Sequence, residues 1–245
     1  MKADPQAQRR LLDLQTIDTT VAQLAHRRKN LPEHAESDRL ARELSALEDE
    51  RVRGQVAVDD LDRDITRLEL DVEQVRARAA KDQGRLDVGT GPARELEALQ
   101  HELATLARRQ GELEDVELEL MERREEAQAV QDGIDARLTA MREQRAETER
   151  RRDELLSEID REVEFRRSSR IPLVADLPAD LIALYEKIRE QTGIGAALLR
   201  SGRCGGCRLE LSGSERARFK AAPPDDVVRC EECGRILVRT EESGL

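Results

Sequence analysis

Tryptophan is absent from the 245 residues, tyrosine occurs once and phenylalanine twice. So few bulky side chains cannot fill an ordinary globular interior, and with 39% of the residues charged the chain reads as long helices. No apolar run approaches the ~20 residues that span a bilayer. The amino-terminal stretch MKADPQAQRRLLDLQ lacks the apolar segment of an export signal. A cytoplasmic protein with no membrane partner is the expectation. Lysine is scarce (Lys2, Lys29, Lys81, Lys187, Lys220), so nearly all of the 42 basic residues are arginines. The three histidines, His26, His34 and His101, lie on helical stretches and read as solvated helix residues. No phosphate loop, nucleophile elbow or zincin pattern is present, so neither an enzyme nor a small-molecule substrate is expected.

What chemistry there is sits in the four cysteines. Cys204, Cys207, Cys230 and Cys233 form two C-x-x-C pairs separated by 22 residues. Two thiolates three positions apart on a tight turn chelate one ion, and two such turns complete a tetrahedral shell. Gly205, Gly206 and Gly234 supply the backbone freedom of metal knuckles. Leu209–Leu211, Val227–Arg229 and Ile236–Arg239 read as short strands around them. The pattern describes a zinc ribbon with one structural zinc, since a catalytic zinc keeps an open position that four cysteines close. Disulfides would need an oxidising compartment, and a redox dithiol would need a βαβ unit that the sequence does not contain.

Upstream, apolar residues recur at spacings of three and four: Leu14, Ile17, Val21, Leu24, then Leu40, Leu44, Leu47, Val58, Leu61, Ile65, Leu68, Val72 and Val75. Leu31-Pro32 interrupts this seam as a kink or break. Three glycines and a proline within Gly84–Pro92 reverse the chain. A second seam then runs Leu96, Leu99, Leu103, Leu106, Leu113, Val116, Leu120, Ala127, Val130, Ile134, Leu138 and Met141. The two arms match in length, roughly 110 Å each at 1.5 Å per residue, which predicts an antiparallel hairpin. Centring the turn near Val88 sets Leu61 opposite Glu117, Leu40 opposite Leu138, and Arg51 and Gly54 opposite the segment from Arg124 to Ala127, where little apolar content on either side predicts a bend. Val56, Val116 and Leu118 lie beside the seam as candidate docking positions. The helix is expected to end in the polar break from Arg166 to Pro172. A short junction helix carrying Leu181, Ile182, Leu184, Tyr185 and Ile188 then clamps the ribbon to the hairpin base, with Gly193 and Gly195 ending it and Tyr185 in the junction core.

The fold class is therefore mainly α, a long antiparallel coiled-coil hairpin with a small carboxy-terminal β zinc ribbon. Residues 1–170 form the hairpin, with its tip near 84–93, and residues 171–245 the junction helix and the C4 ribbon. The segments DLPADLIALYEKIREQTGIGAALLRSGRCGGCRLELS and VVRCEECGRIL, with the tip segment PARELEALQHEL, resemble a bacterial family that joins a coiled-coil hairpin to a C4-type zinc ribbon. Where that family commonly has an aromatic after the last motif, this chain has Val238. The resemblance implies the same four cysteines as zinc ligands. It also implies roles in nucleic-acid binding and protein handling, with links to flagellar gene expression in motile species.

Two functional classes follow. From Arg200 onward there are nine basic and eight acidic residues, so the chain's net charge of −11 resides upstream and a nucleic-acid surface, for DNA or RNA, belongs at the ribbon end. Its candidate contacts are Arg203, Arg208, Arg216, Arg218, Lys220 and Arg235, joined at the hairpin base by Arg9, Arg10, Arg166, Arg167 and Arg170. Phe219 is the one aromatic there that could stack on a base. The alternative is an adaptor, chaperone or scaffold that binds a protein partner along the hairpin, with the ribbon purely structural.

Overall fold

The computed structural model describes residues 1–245. Five α-helices and four short strands follow one another as α1 (Pro5–Lys29), α2 (Pro32–Val88), α3 (Ala93–Ala175), α4 (Ala179–Thr192), β1 (Ala196–Arg200), β2 (Arg203–Cys204), α5 (Gly213–Ala221), β3 (Val228–Arg229) and β4 (Ile236–Val238). A 3-10 turn at Glu241–Ser243 closes the chain. The molecule divides into two compact units, one of residues 35–149 and one that joins 1–34 to 150–245. No helix is long and apolar enough to cross a membrane.

The first unit is an antiparallel pair made by α2 and α3. Leu40, Leu44, Leu47, Val58 and Val72 of α2 are buried, as are Leu106, Leu113, Ile134 and Leu138 of α3, while many of the intervening positions are charged. This is a narrow coiled-coil seam, and it explains why so few aromatics suffice. Ion pairs cross it from Arg51 to Asp135 at 2.7 Å, from Arg124 to Asp62 at 2.9 Å and from Arg142 to Glu48 at 2.7 Å.

These pairs correct the register expected from the sequence. Asp62 meets Arg124, which places Leu61 about two helical turns from Glu117. Leu138 packs with Leu44 and Leu47 rather than with Leu40. Part of the reason is that α2 runs through Gly84 to Val88, so the chain reverses at residues 89–92. Glycine inside an exposed helix costs only about 1 kcal/mol, too little to stop a long coiled-coil arm. Gly89, at φ +64°, makes the turn instead.

At Gly54 the seam has a defect, and it faces Gln131 rather than Arg124–Ala127. A Cβ on Gly54 would lie 2.3 Å from the Gln131 Oε1 atom, so the amide fills the space that the missing methyl leaves. Gln131 is only 2% exposed and neither its Oε1 nor its Nε2 has a hydrogen-bond partner. Both helices continue unbroken through this layer. Each unsatisfied buried group costs about 1–3 kcal/mol. Gln131→Leu, which has similar bulk and no polar atoms, is therefore expected to raise stability by about 1 kcal/mol or more in urea unfolding. A lower midpoint would show that the amide is satisfied in solution.

The second unit is built on a four-stranded sheet in the order β2-β1-β4-β3. Strands β1 and β4 are parallel, with Ala197 beside Leu237, and the outer pairings are antiparallel. Because side chains alternate along a strand, the sheet serves two cores. Ala196, Ile236 and Val238 join Leu11, Leu14, Leu177, Leu181, Tyr185 and Ile188 of the helices. Ala197, Leu199 and Leu237 join Leu211, Phe219 and Val228 around the cysteines.

Helix α3 does not stop at the polar break. It runs through Pro172 to Ala175, past the expected end in the segment from Arg166 to Pro172. Proline removes one backbone donor, yet Arg170 is anchored to Asp18 at 2.8 Å and to Glu186, and the Asp176 N–H still bonds the Pro172 carbonyl at 3.2 Å. Tertiary ion pairing holds the last turns where local propensity would end them. The Tyr185 hydroxyl donates to Asp18 at 2.8 Å in the same network, and burial, with the Asp18 carboxylate, pushes this phenol up from its ordinary pKa. It remains a neutral donor in the junction core.

Candidate metal centre

The two cysteine pairs sit on equivalent turns. The Cys204 N–H bonds the Leu209 carbonyl at 3.0 Å, and the Arg208 N–H returns to Cys204 at 2.8 Å. The Cys230 N–H bonds the Arg235 carbonyl at 3.0 Å, and the Gly234 N–H returns to Cys230 at 2.9 Å. Gly234 and Arg208 occupy matching positions just after the second cysteine, at φ +72° and +65°. Gly205 is required by close approach, since a Cβ there would lie 2.7 Å from the Leu198 carbonyl oxygen.

These turns aim all four sulfurs at one point. The four Sγ atoms lie within 4.8 Å of one another, with Cys204 to Cys233 at 3.7 Å and Cys207 to Cys230 at 3.9 Å. A tetrahedron with Zn–S bonds of about 2.3 Å has edges of about 3.8 Å, so the donor set fits zinc in both chemistry and size. Burial pushes the Cys230 thiol up to about 12 and raises Cys204. Cys233 is also partly buried, but the Arg235 N–H and the neighbouring thiols bring it down to about 7. One cysteine thus reaches the thiolate form near neutral pH, and the cation would supply the charge that lets the others follow. With four sulfurs the shell is closed, and the metal it suits is structural.

The expected nucleic-acid contacts are placed differently from one another. Arg203 and Arg216 both turn to Glu210, at 3.8 and 2.9 Å. Arg218 pairs with Glu231 at 2.5 Å and lies over the Phe219 ring. Arg235 packs on Gly206 and donates to the Thr192 carbonyl at 3.2 Å. Arg208 and Lys220 are exposed and have no carboxylate partner. At the hairpin base, Arg10 pairs with Asp176 and Arg166 with Glu162. Phe219, expected as the stacking platform, is 2% exposed and belongs to the ribbon core. A small domain short of apolar bulk cannot leave its one ring outside.

Sequence reasoning missed three features. Strand β1 was hidden inside the run GAALLRSGRC, and α5, capped by Ser212 with Glu215, was not expected although S-x-x-E is a capping-box signal. The third is Arg239. Its two terminal nitrogens donate to the carbonyls of Phe219, Ala222, Pro223 and Asp226 at 2.6–3.0 Å, tying the end of α5 to β4.

A coiled-coil hairpin carrying a C4 ribbon defines the class of protein. The chain matches the model of the CT398-like coiled-coil hairpin domain over residues 14–193 and that of the C4-type zinc ribbon domain over residues 203–237, and it belongs to this family. It is 42% identical to the uncharacterized protein Rv2229c of Mycobacterium tuberculosis, over 98% of each chain. A solved structure from Mycobacterium smegmatis is similar at 39% identity with a TM-score of 0.85, covering 98% of this chain and all of that one. The structure of CT398 from Chlamydia trachomatis shares the fold at 18% identity and a TM-score of 0.64, over 95% and 97% of the two chains.

Proposed function

We propose that this protein is a non-enzymatic adaptor that binds a protein partner at its zinc-ribbon end, with the metal serving only to fold that end. The observation that carries this reading is the commitment of the ribbon's cations. Arg203 and Arg216 share Glu210, Arg218 pairs with Glu231, and Arg235 and Arg239 donate to backbone carbonyls. Phosphate binding grows with clustered free cations and single-strand binding with exposed rings, and this surface offers little of either. The nucleic-acid reading keeps only Arg208 and Lys220 as free contacts among its six candidates.

Salt-dependent fluorescence anisotropy on the zinc-loaded full chain tests the choice, using random-sequence single-stranded RNA and duplex DNA. Little binding at physiological salt and a slope no steeper than about two are expected. Photo-crosslinking from ribbon positions in cells should recover discrete protein adducts. Tight binding with a slope of about five or more, lost in Arg208→Glu/Arg216→Glu/Arg218→Glu, would replace the adaptor by a nucleic-acid-binding protein.

A further inference from the structure

Beside the ribbon, the start of α1 and the end of α5 line an open groove of about 440 Å³. Pro5, Ala222 and Pro224 give it apolar walls, and Arg9 and Lys220 stand in it from separate elements. Neither cation has a carboxylate within 4.0 Å, and both are exposed. Several other cations of this end do have one. Arg10 pairs with Asp176, Lys2 with Asp225 and Arg200 with Glu242. The ordinary explanation of a lysine at a helix carboxy-terminus is that it satisfies the last carbonyls. Here that role is taken, because Arg239 already binds the Phe219 and Ala222 carbonyls.

The groove is also preformed. Gln8, 3% exposed, donates its Nε2 protons to Ala3 and Pro224, joining one wall to the other, and Arg239 fixes the floor. A rigid groove loses little entropy on filling.

We propose that this groove docks an acidic peptide segment of the partner protein, its carboxylates lying against Arg9 and Lys220 and a neighbouring apolar side chain against the proline walls. The proposal rests on the adaptor reading and names its contact. Charge complementarity selects the occupant. Two free cations beside an apolar wall suit one or two carboxylates, and a groove of this volume holds only a short segment. A polyanion is disfavoured because two free cations can meet only one or two of its charges.

The test uses zinc-loaded full-length protein and three fluorescein-labelled hexapeptides that alternate leucine with glutamate, glutamine or lysine. The glutamate peptide should bind with an affinity that weakens as salt rises, shifting the backbone amide resonances of Arg9 and Lys220, and the other two should not. Arg9→Glu/Lys220→Glu should weaken binding at least about tenfold, while Arg63→Glu/Arg67→Glu leaves it unchanged. Both altered side chains are solvent-exposed and unpaired, so far-UV dichroism should match wild type. Equal binding of the glutamine peptide, shifts confined to another surface, or a double variant that binds like wild type would overturn the proposal. If cellular crosslinks to protein persist in that last case, the groove falls and the adaptor stands. If RNA binds steeply and the peptide does not, both fall.

Discussion

Stripping one zinc ion per chain should unfold the ribbon while the α2/α3 pair keeps its helicity. The four thiols converge on one site, and the core around them holds a single ring, Phe219, among small and medium apolar residues. Such a core does not stabilise itself, whereas a structural zinc contributes on the order of 10–16 kcal/mol. Titrating the thiols with a mercurial in the presence of a zinc indicator should release one equivalent. Amide protection should then vanish across residues 203–235 and fall in β1 and β4. The loss should reach α1 as well, because Ile236 and Val238 are part of the core that buries Leu11 and Leu14. Residues 35–149 share no core with the metal site and should keep their protection. Metal-free protein with a protected carboxy-terminal segment would refute the assignment.

Gly195→Ala is expected to destabilise the second unit by on the order of 3 kcal/mol. A Cβ there would lie 2.5 Å from the Tyr185 ring and 2.7 Å from its carbonyl oxygen. Neither can yield cheaply. The ring is fully buried, and its hydroxyl is one of the donors to Asp18, so pushing it aside weakens the satisfaction of a buried carboxylate. Gly54→Ala makes the informative contrast. Its clash is with the far end of the flexible Gln131 side chain rather than with backbone or a packed ring, and alanine is the better helix former, so the change should stay within about 1 kcal/mol of wild type. Thermal and urea unfolding of both variants, followed by dichroism, separates the cases. A Gly195→Ala protein that unfolds like wild type would mean that the α4–β1 turn relaxes without disturbing Tyr185.

The metal cluster and both long helices were legible because each rests on a local rule, spacing for the knuckles and periodicity for the seam. The hairpin register was not, since a shift of one turn replaces one leucine by another and only cross-helix pairs such as Arg124 with Asp62 decide it. Arg166–Pro172 misled because local polarity suggests an end, while Asp18, distant in sequence, holds Arg170 in a helix. The arginines of the ribbon could be found by composition, but not which of them were free. Whether a cation faces water or its own Glu210 depends on how β2 and the segment before α5 come together.

The discontinuity of the second unit sets an order of events during synthesis. Leu11 and Leu14 leave the ribosome about 220 residues ahead of Ile236 and Val238, against which they pack. At ~5–20 residues per second, α1 waits tens of seconds for a complete core, while α2 and α3 can pair well before the chain is finished. The parallel β1–β4 ladder is delayed in the same way, because the whole ribbon lies between its strands. During that interval the apolar face of α1 is a nascent-chain surface in need of cover. Truncation near the carboxy-terminus should therefore leave soluble hairpin helices joined to an aggregation-prone first helix.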